Sequence, residues 1–203
     1  MDYYATGDLD LDKSRKILAG IKVGCELAGC VLTGGETAQL KPMFLRDNWF
    51  DLAGFMVGEV RGEFNPEPVR KGDYLIGLHS SGLHSNGFTN IRNFYTDVYE
   101  WMLEPTAIYV GDILSNMHVI KSCAHITGGG LTGNIPRALP TGISYELDYK
   151  LNMLWSQVGE VCHMGKNALE QTFNCGYGMV IVVSDTHDIK SLHVDWDIIG
   201  EII

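Results

Sequence analysis

Four short segments of this sequence concentrate the residue types that do chemistry. The densest is Thr127-Gly128-Gly129-Gly130-Leu131-Thr132-Gly133-Asn134. Successive glycine N–H groups can converge on a phosphate, and a helix beginning just after them adds a favourable dipole. The run also fits G-x-G-x-x-G through Gly128, Gly130 and Gly133. As a dinucleotide fingerprint it is weak, because no acidic residue stands about 20 positions further on. Glu146 and Asp148 come too early. A phosphate cradle and a purely structural tight turn both stay open.

The second segment is Ser80-Ser81-Gly82-Leu83-His84-Ser85-Asn86-Gly87. It offers hydroxyls, an imidazole and an amide where a strand gives way to a helix, the place where α/β proteins set their ligands. The same residues also suit a capped helix start, with Ser85 or Asn86 as the cap. Taken alone, His84 reads as a surface or core histidine. In the third segment, Gly34-Gly35-Glu36-Thr37, a carboxylate follows two glycines at a strand end. Glu36 could hold a metal or a substrate group there, or it could simply be solvated. The fourth, Asn174-Cys175-Gly176-Tyr177-Gly178, has the residue order of a turn and reads as structural.

The elements that must position these segments follow from periodicity. Ile17, Leu18, Ile21, Cys25 and Ala28 recur at helical spacing, which predicts a helix over 11–29 with Asp10 or Asp12 as cap and Gly29 as stop. Strands are expected at Cys30-Val31-Leu32 and over Leu52 to Val60. Residues 61–72 combine two prolines, two glycines and several charges, and mark a domain boundary. Beyond it the pattern predicts a strand from Tyr74 to Leu78 and a helix from about Phe88. A second helix is expected with Pro105 in its first turn and Tyr109, Ile113, Met117 and Ile120 on one face. A strand at His125-Ile126, a short helix near Ile135, a strand from Ser144 to Tyr149 and helices within 153–171 follow. Val180 to Val183 reads as a strand buried on both faces, and Trp196 to Ile203 as another strand. Alternating strands and helices make the class α/β or α+β.

Composition narrows the function. Of 203 residues, 45% are apolar, enough for a substantial core. No apolar run reaches the roughly 18 residues of a membrane helix, and the N-terminus lacks the pattern of a signal peptide. The net charge of −10 argues against a nucleic-acid partner. Five irregularly spaced cysteines with no CxxC point to a reducing, cytoplasmic setting rather than a zinc site or disulfide framework.

Several strings, in order, carry a resemblance. They are Asp2-Tyr3-Tyr4-Ala5-Thr6-Gly7, Gly34-Gly35-Glu36-Thr37-Ala38, Asp51-Leu52-Ala53-Gly54-Phe55, Ser80-Ser81-Gly82 with His84-Ser85-Asn86-Gly87, and Glu104-Pro105-Thr106 with Ile108-Tyr109-Val110. His125-Ile126-Thr127-Gly128-Gly129-Gly130, Asn134-Ile135-Pro136-Arg137 and Thr172-Phe173-Asn174 complete them. Together they resemble the aminoimidazole ribonucleotide synthetases (phosphoribosylformylglycinamidine cyclo-ligases). Single motifs are shared with selenophosphate synthetases, thiamine phosphate kinases and hydrogenase-maturation proteins.

The resemblance implies residues 1–65 as the remnant of a dimerising, ATP-binding N-terminal domain and 70–203 as the C-terminal synthetase domain. It implies ATP and Mg²⁺ as cofactors and formylglycinamidine ribonucleotide as substrate. Glu36 and His84 are the implied catalytic residues, with Glu36 also the metal ligand. Ser81, Ser85, Asn86, Gly87, Thr127, Gly128, Gly129 and Gly130 would bind substrate and phosphate. A homodimer, or a separate chain carrying the N-terminal half, is the implied assembly, since the family's glycine-rich ATP segment lies upstream of Met1. Gln39 and Ala107 depart from the family pattern, which has Glu and Arg there. The rival readings are a non-catalytic binding or assembly subunit of the same fold, and a related ATP-dependent enzyme of the superfamily such as a selenophosphate synthetase or thiamine phosphate kinase.

Overall fold

The computed structural model describes residues 1–203 except 61, 63, 66, 190 and 191. The chain divides into two compact units, 1–61 and 62–203. The sequence-derived boundary over 61–72 falls in part outside the described residues.

The first unit contains β1 (Asp2–Thr6), α1 (Leu11–Leu27), β2 (Gly35–Gln39) and β3 (Phe50–Gly54). The sheet order is β2-β1-β3, with β2 parallel and β3 antiparallel to β1. Asp10 caps α1, its carboxylate accepting from the Asp12 and Lys13 amides at 2.9 and 3.1 Å. Two strand expectations shift. Residues 30–32 form no strand, because the Cys30 amide is committed to the end of α1, donating to Cys25 O at 2.9 Å. Pairing starts instead at Gly35, opposite Asp2. The strand expected over Leu52 to Val60 is Phe50–Gly54, since the five residues of β1 set its paired length.

The second unit contains β4 (Tyr74–His79), α2 (Phe88–Phe94), α3 (Glu100–Leu103), α4 (Val110–Asn116), β5 (Ser122–His125), α5 (Gly130–Asn134), β6 (Tyr145–Leu147), α6 (Met153–Val161), α7 (Lys166–Thr172), β7 (Tyr177–Val183) and β8 (Trp196–Ile202). Five strands form one sheet in the order β5-β7-β4-β8-β6, every neighbouring pair antiparallel. The mixed α/β class is as expected, and the antiparallel ladder makes it α+β. Strand alternation sends Val180 and Val182 into a core with Leu75, Trp155 and Phe173. Ile181 and Val183 face a second core with Ile76, Leu78, Tyr109 and Ile120. The sequence reading of β7 as buried on both faces therefore holds. Asp73 and the Lys121 ammonium, both buried, pair at 2.9 Å and fasten the start of β4 to that of β5.

No helix begins at Pro105. Residues 105–109 are irregular and the helix starts at Val110. The cause is local. Pro105 O accepts from the Ser81 hydroxyl at 2.5 Å, and the Ala107 amide donates to His84 Nε2 at 3.4 Å. Backbone bonded to a loop is not free to wind a helix. Among the described residues, no helix is long and apolar enough to cross a membrane.

Candidate functional site

Sheet order brings two of the predicted segments together. β4 and β5 flank β7 and run antiparallel to it. Their last residues, His79 and His125, pair with Tyr177 and Met179 at the start of β7. The loops leaving β4 (80–87) and β5 (126–129) therefore emerge at the same end of the sheet, on either side of one strand. They meet at their tips, where a Cβ on Gly128 would sit 3.4 Å from Asn86 Oδ1.

One residue, Phe173, underlies both loops, through its ring at Gly87 and its backbone carbonyl at Gly130. Phe173, 1% exposed, follows α7 and packs on Trp155 with ring centroids 5.3 Å apart. A Cβ on Gly87 would overlap the Phe173 ring at 2.2 Å. A Cβ on Gly130 would overlap Glu170 O at 2.2 Å and Phe173 O at 2.8 Å. Both glycines also have φ in the left-handed region, +87° and +61°. No L side chain fits at either position without moving the loop off its wedge.

Each loop is held by a buried asparagine. Asn134 Nδ2 donates to Gly130 O at 2.7 Å and to Thr127 O and Gly128 O at 3.3 Å, while its Oδ1 accepts from the Thr127 hydroxyl at 3.2 Å. Asn174 Nδ2 donates to Gly82 O at 2.9 Å and Leu83 O at 3.3 Å, and its Oδ1 accepts from Ser80 Oγ at 3.1 Å and the Gly176 amide at 2.9 Å. The sequence reading assigned no site role to Asn134, Phe173 or Asn174. Their signals were membership of the strings that carried the resemblance and, for Asn134 and Asn174, a place at the end of a glycine-rich segment. Arg137 was missed too; it brings a guanidinium to 3.5 Å from Asn134 Oδ1, beside the glycine loop.

The predicted residues divide by exposure. Ser81, Ser85, Gly128 and Gly129 are exposed, Asn86, Gly87 and Thr127 are half-buried, and His84 and Gly130 are buried. The Gly130 amide closes a turn onto Thr127 O at 3.1 Å. Among the described residues, the Gly128 and Gly129 amides donate to no protein acceptor, so the cradle offers two free N–H groups rather than three.

His84 turns inward with φ +60°. Its Nε2 accepts from the Ser81 amide at 3.1 Å and the Ala107 amide at 3.4 Å. The same nitrogen lies 3.0 Å from Ser81 Oγ, and Nδ1 is buried without a partner against Gly178. Burial, with a smaller contribution from His125, lowers the His84 pKa to about 4. The ring is neutral at physiological pH and organises the loop around it.

Glu36 belongs to the first unit, on β2, where its exposed carboxylate accepts from the Thr37 amide at 3.1 Å. The other predicted residues belong to the second unit. Among the described residues, no three His, Cys, Asp or Glu side chains gather as a metal site. A single carboxylate can be one ligand of a Mg²⁺ that is otherwise held by water and phosphates. By itself it does not make a metal centre.

Bare amides, hydroxyls and the Arg137 guanidinium thus stand at one end of an α+β sheet. The chain belongs to the family described as AIR synthase related protein, C-terminal domain, which matches residues 70–203. Solved structures share its fold. The hydrogenase maturation protein HypE of E. coli matches with a TM-score of 0.71 at 17% identity, covering 99% of this chain and 66% of that one. Thiamine monophosphate kinase from Aquifex aeolicus matches with a TM-score of 0.64 at 15% identity, covering 99% and 69%. AaThiL complexed with AMPPCP and TMP matches with 0.64 at 16%, covering 100% and 66%. The chain thus spans about two thirds of the length of these structures.

Proposed function

We propose that this chain is the greater part of an ATP-dependent cyclo-ligase that closes the imidazole ring of aminoimidazole ribonucleotide. The observation that carries the reading is the meeting of the 80–87 and 126–129 loops over Phe173. It sets two free glycine amides beside Asn86, with the Arg137 guanidinium close by, a site for a ribose phosphate on a chain of net charge −10. The chemistry follows from the resemblance. ATP phosphorylates the formyl amide oxygen of formylglycinamidine ribonucleotide, the neighbouring amidine nitrogen attacks that carbon, and phosphate leaves; ADP is the other product. An amide oxygen is a poor leaving group until phosphorylated.

In this reading Thr127, Gly128 and Gly129 hold the substrate phosphate, with Gly130 closing the turn beneath them, and Ser81, Ser85, Asn86 and Gly87 orient the substrate's polar atoms. His84 positions the loop through Nε2. Glu36 supplies a carboxylate toward Mg²⁺ and the ATP phosphates. The partner is a second copy, or a chain bearing the upstream half, in the cytoplasm. The AMPPCP in the AaThiL complex supports a nucleotide-using fold.

The test is calorimetric titration with formylglycinamidine ribonucleotide and, in parallel, thiamine monophosphate, on wild type and Gly128→Val. Gly128 lacks a left-handed φ and has only Asn86 nearby, so a side chain there fills the cleft without straining the backbone. The expected result is binding of the first ligand, weakened roughly tenfold or more by the substitution at unchanged stability. Preferential binding of thiamine monophosphate would move the chain to the kinase branch. ADP release with formylglycinamidine ribonucleotide is expected only when the upstream half is supplied; turnover by the 203-residue chain alone would mean the nucleotide site is misplaced.

A further inference from the structure

The end of α1 brings two thiols together. The Cys30 amide donates to Cys25 O at 2.9 Å and the Gly29 amide to Glu26 O at 3.1 Å, with Gly29 at φ +67°. These are the paired 6→1 and 5→2 hydrogen bonds of a Schellman closure, in which the side chains at the two ends of the 6→1 bond meet. Apolar residues usually fill those two positions. Here both are cysteines, each partly exposed and each lining a hollow of about 770 Å³ with Ile21, Leu52 and Met56. Backbones tied this closely lie within the reach of an S–S bond.

We propose that Cys25 and Cys30 are a reversible thiol–disulfide pair, oxidised by low-molecular-weight disulfides. One thiolate attacks oxidised glutathione, releasing one glutathione thiolate and leaving a mixed disulfide. The second cysteine loses its proton to solvent and attacks the protein sulfur of that mixed disulfide, forming the Cys25–Cys30 bond and releasing the second glutathione. Two protein thiols are oxidised and one disulfide is reduced. The bond would staple the last turn of α1 to residues 30–34, which lead into Gly35 and Glu36, and so ties the redox state to the strand that carries the candidate carboxylate. Burial, and then the Cys30 thiol beside it, raise the Cys25 pKa above its usual value. Exchange should therefore be slow at neutral pH and quicken as pH rises.

The test equilibrates the full chain with glutathione buffers of graded ratio, blocks free thiols with N-ethylmaleimide and cleaves after Glu26, between the two cysteines. The expected result is two fragments joined only through sulfur, which part on reduction, with Cys123, Cys162 and Cys175 alkylated. Cys30→Ser should abolish the link, with Cys123→Ser as the unaffected control and circular dichroism reporting that α1 persists. Separate fragments, whether alkylated or each carrying its own glutathione, in a buffer that fully oxidises dithiothreitol would overturn the proposal. Pairing of either cysteine with a third would do the same.

Discussion

The loops at 80–87 and 126–129 leave strands on either side of β7, meet Phe173 at its ring and, next to Gly130, at its carbonyl, and are each clasped by a buried asparagine, yet they offer different chemistry. The first is filled from inside. His84 occupies its centre, takes the Ser81 and Ala107 amides onto Nε2, and leaves the Ser81 and Ser85 hydroxyls outside. The second is emptied. Its glycines remove every side chain between Thr127 and Leu131, so backbone amides become the surface. Rigidity in one comes from an imidazole and in the other from Asn134 and the close fit of Gly130 against Glu170 O and Phe173 O. A polar side-chain loop can discriminate the shape of a ligand, whereas a bare-amide loop recognises negative charge without lending positive charge of its own.

Removing what the loops share should have the largest effect. Phe173→Ala removes the ring from beneath Gly87 and from the core it shares with Leu83, Ile126 and Leu131, and should cost about 3–5 kcal/mol. In denaturant unfolding the midpoint should fall accordingly, and ligand binding should be lost even where the fold persists at low temperature. Retained binding would show that the loops stand without their common wedge.

Acid separates them. The folded pKa of His84, about 4, lies below the ordinary value of 6.5. The fold therefore favours the neutral ring. This contribution is fully present above pH 6.5, is lost as pH falls from 6.5 to 4, and levels off below that, an amount on the order of 3 kcal/mol at its limit. His84→Asn, which tolerates the positive φ, should flatten the stability–pH curve across that window. Parallel curves for the two proteins would remove His84 as the first loop's internal support.

The smallest contrast compares the clasps. Asn134→Ala and Asn174→Ala should each cost about 1–3 kcal/mol by stranding buried carbonyls. Amide hydrogen exchange should then quicken selectively, over 127–131 for the former and 80–87 for the latter. Acceleration of both loops by either change would make them one cooperative unit.

Much of this was legible in the chain. Apolar periodicity marks α1, β4, β7 and β8 because one face of each must leave water, and glycine clusters mark backbone that bends or opens. The resemblance picked out both loops from short strings. Two strands and one helix start were displaced, at Cys30, Leu52 and Pro105, because pairing length and side-chain bonds to a distant loop decided them rather than local preference. That His84 faces inward, that Asn134 and Asn174 act as clasps, and that β5 and β4 straddle β7 are matters of tertiary structure. They depend on which strand lies beside which, and on contacts such as Asn174 to Gly82, which no local pattern along the chain encodes.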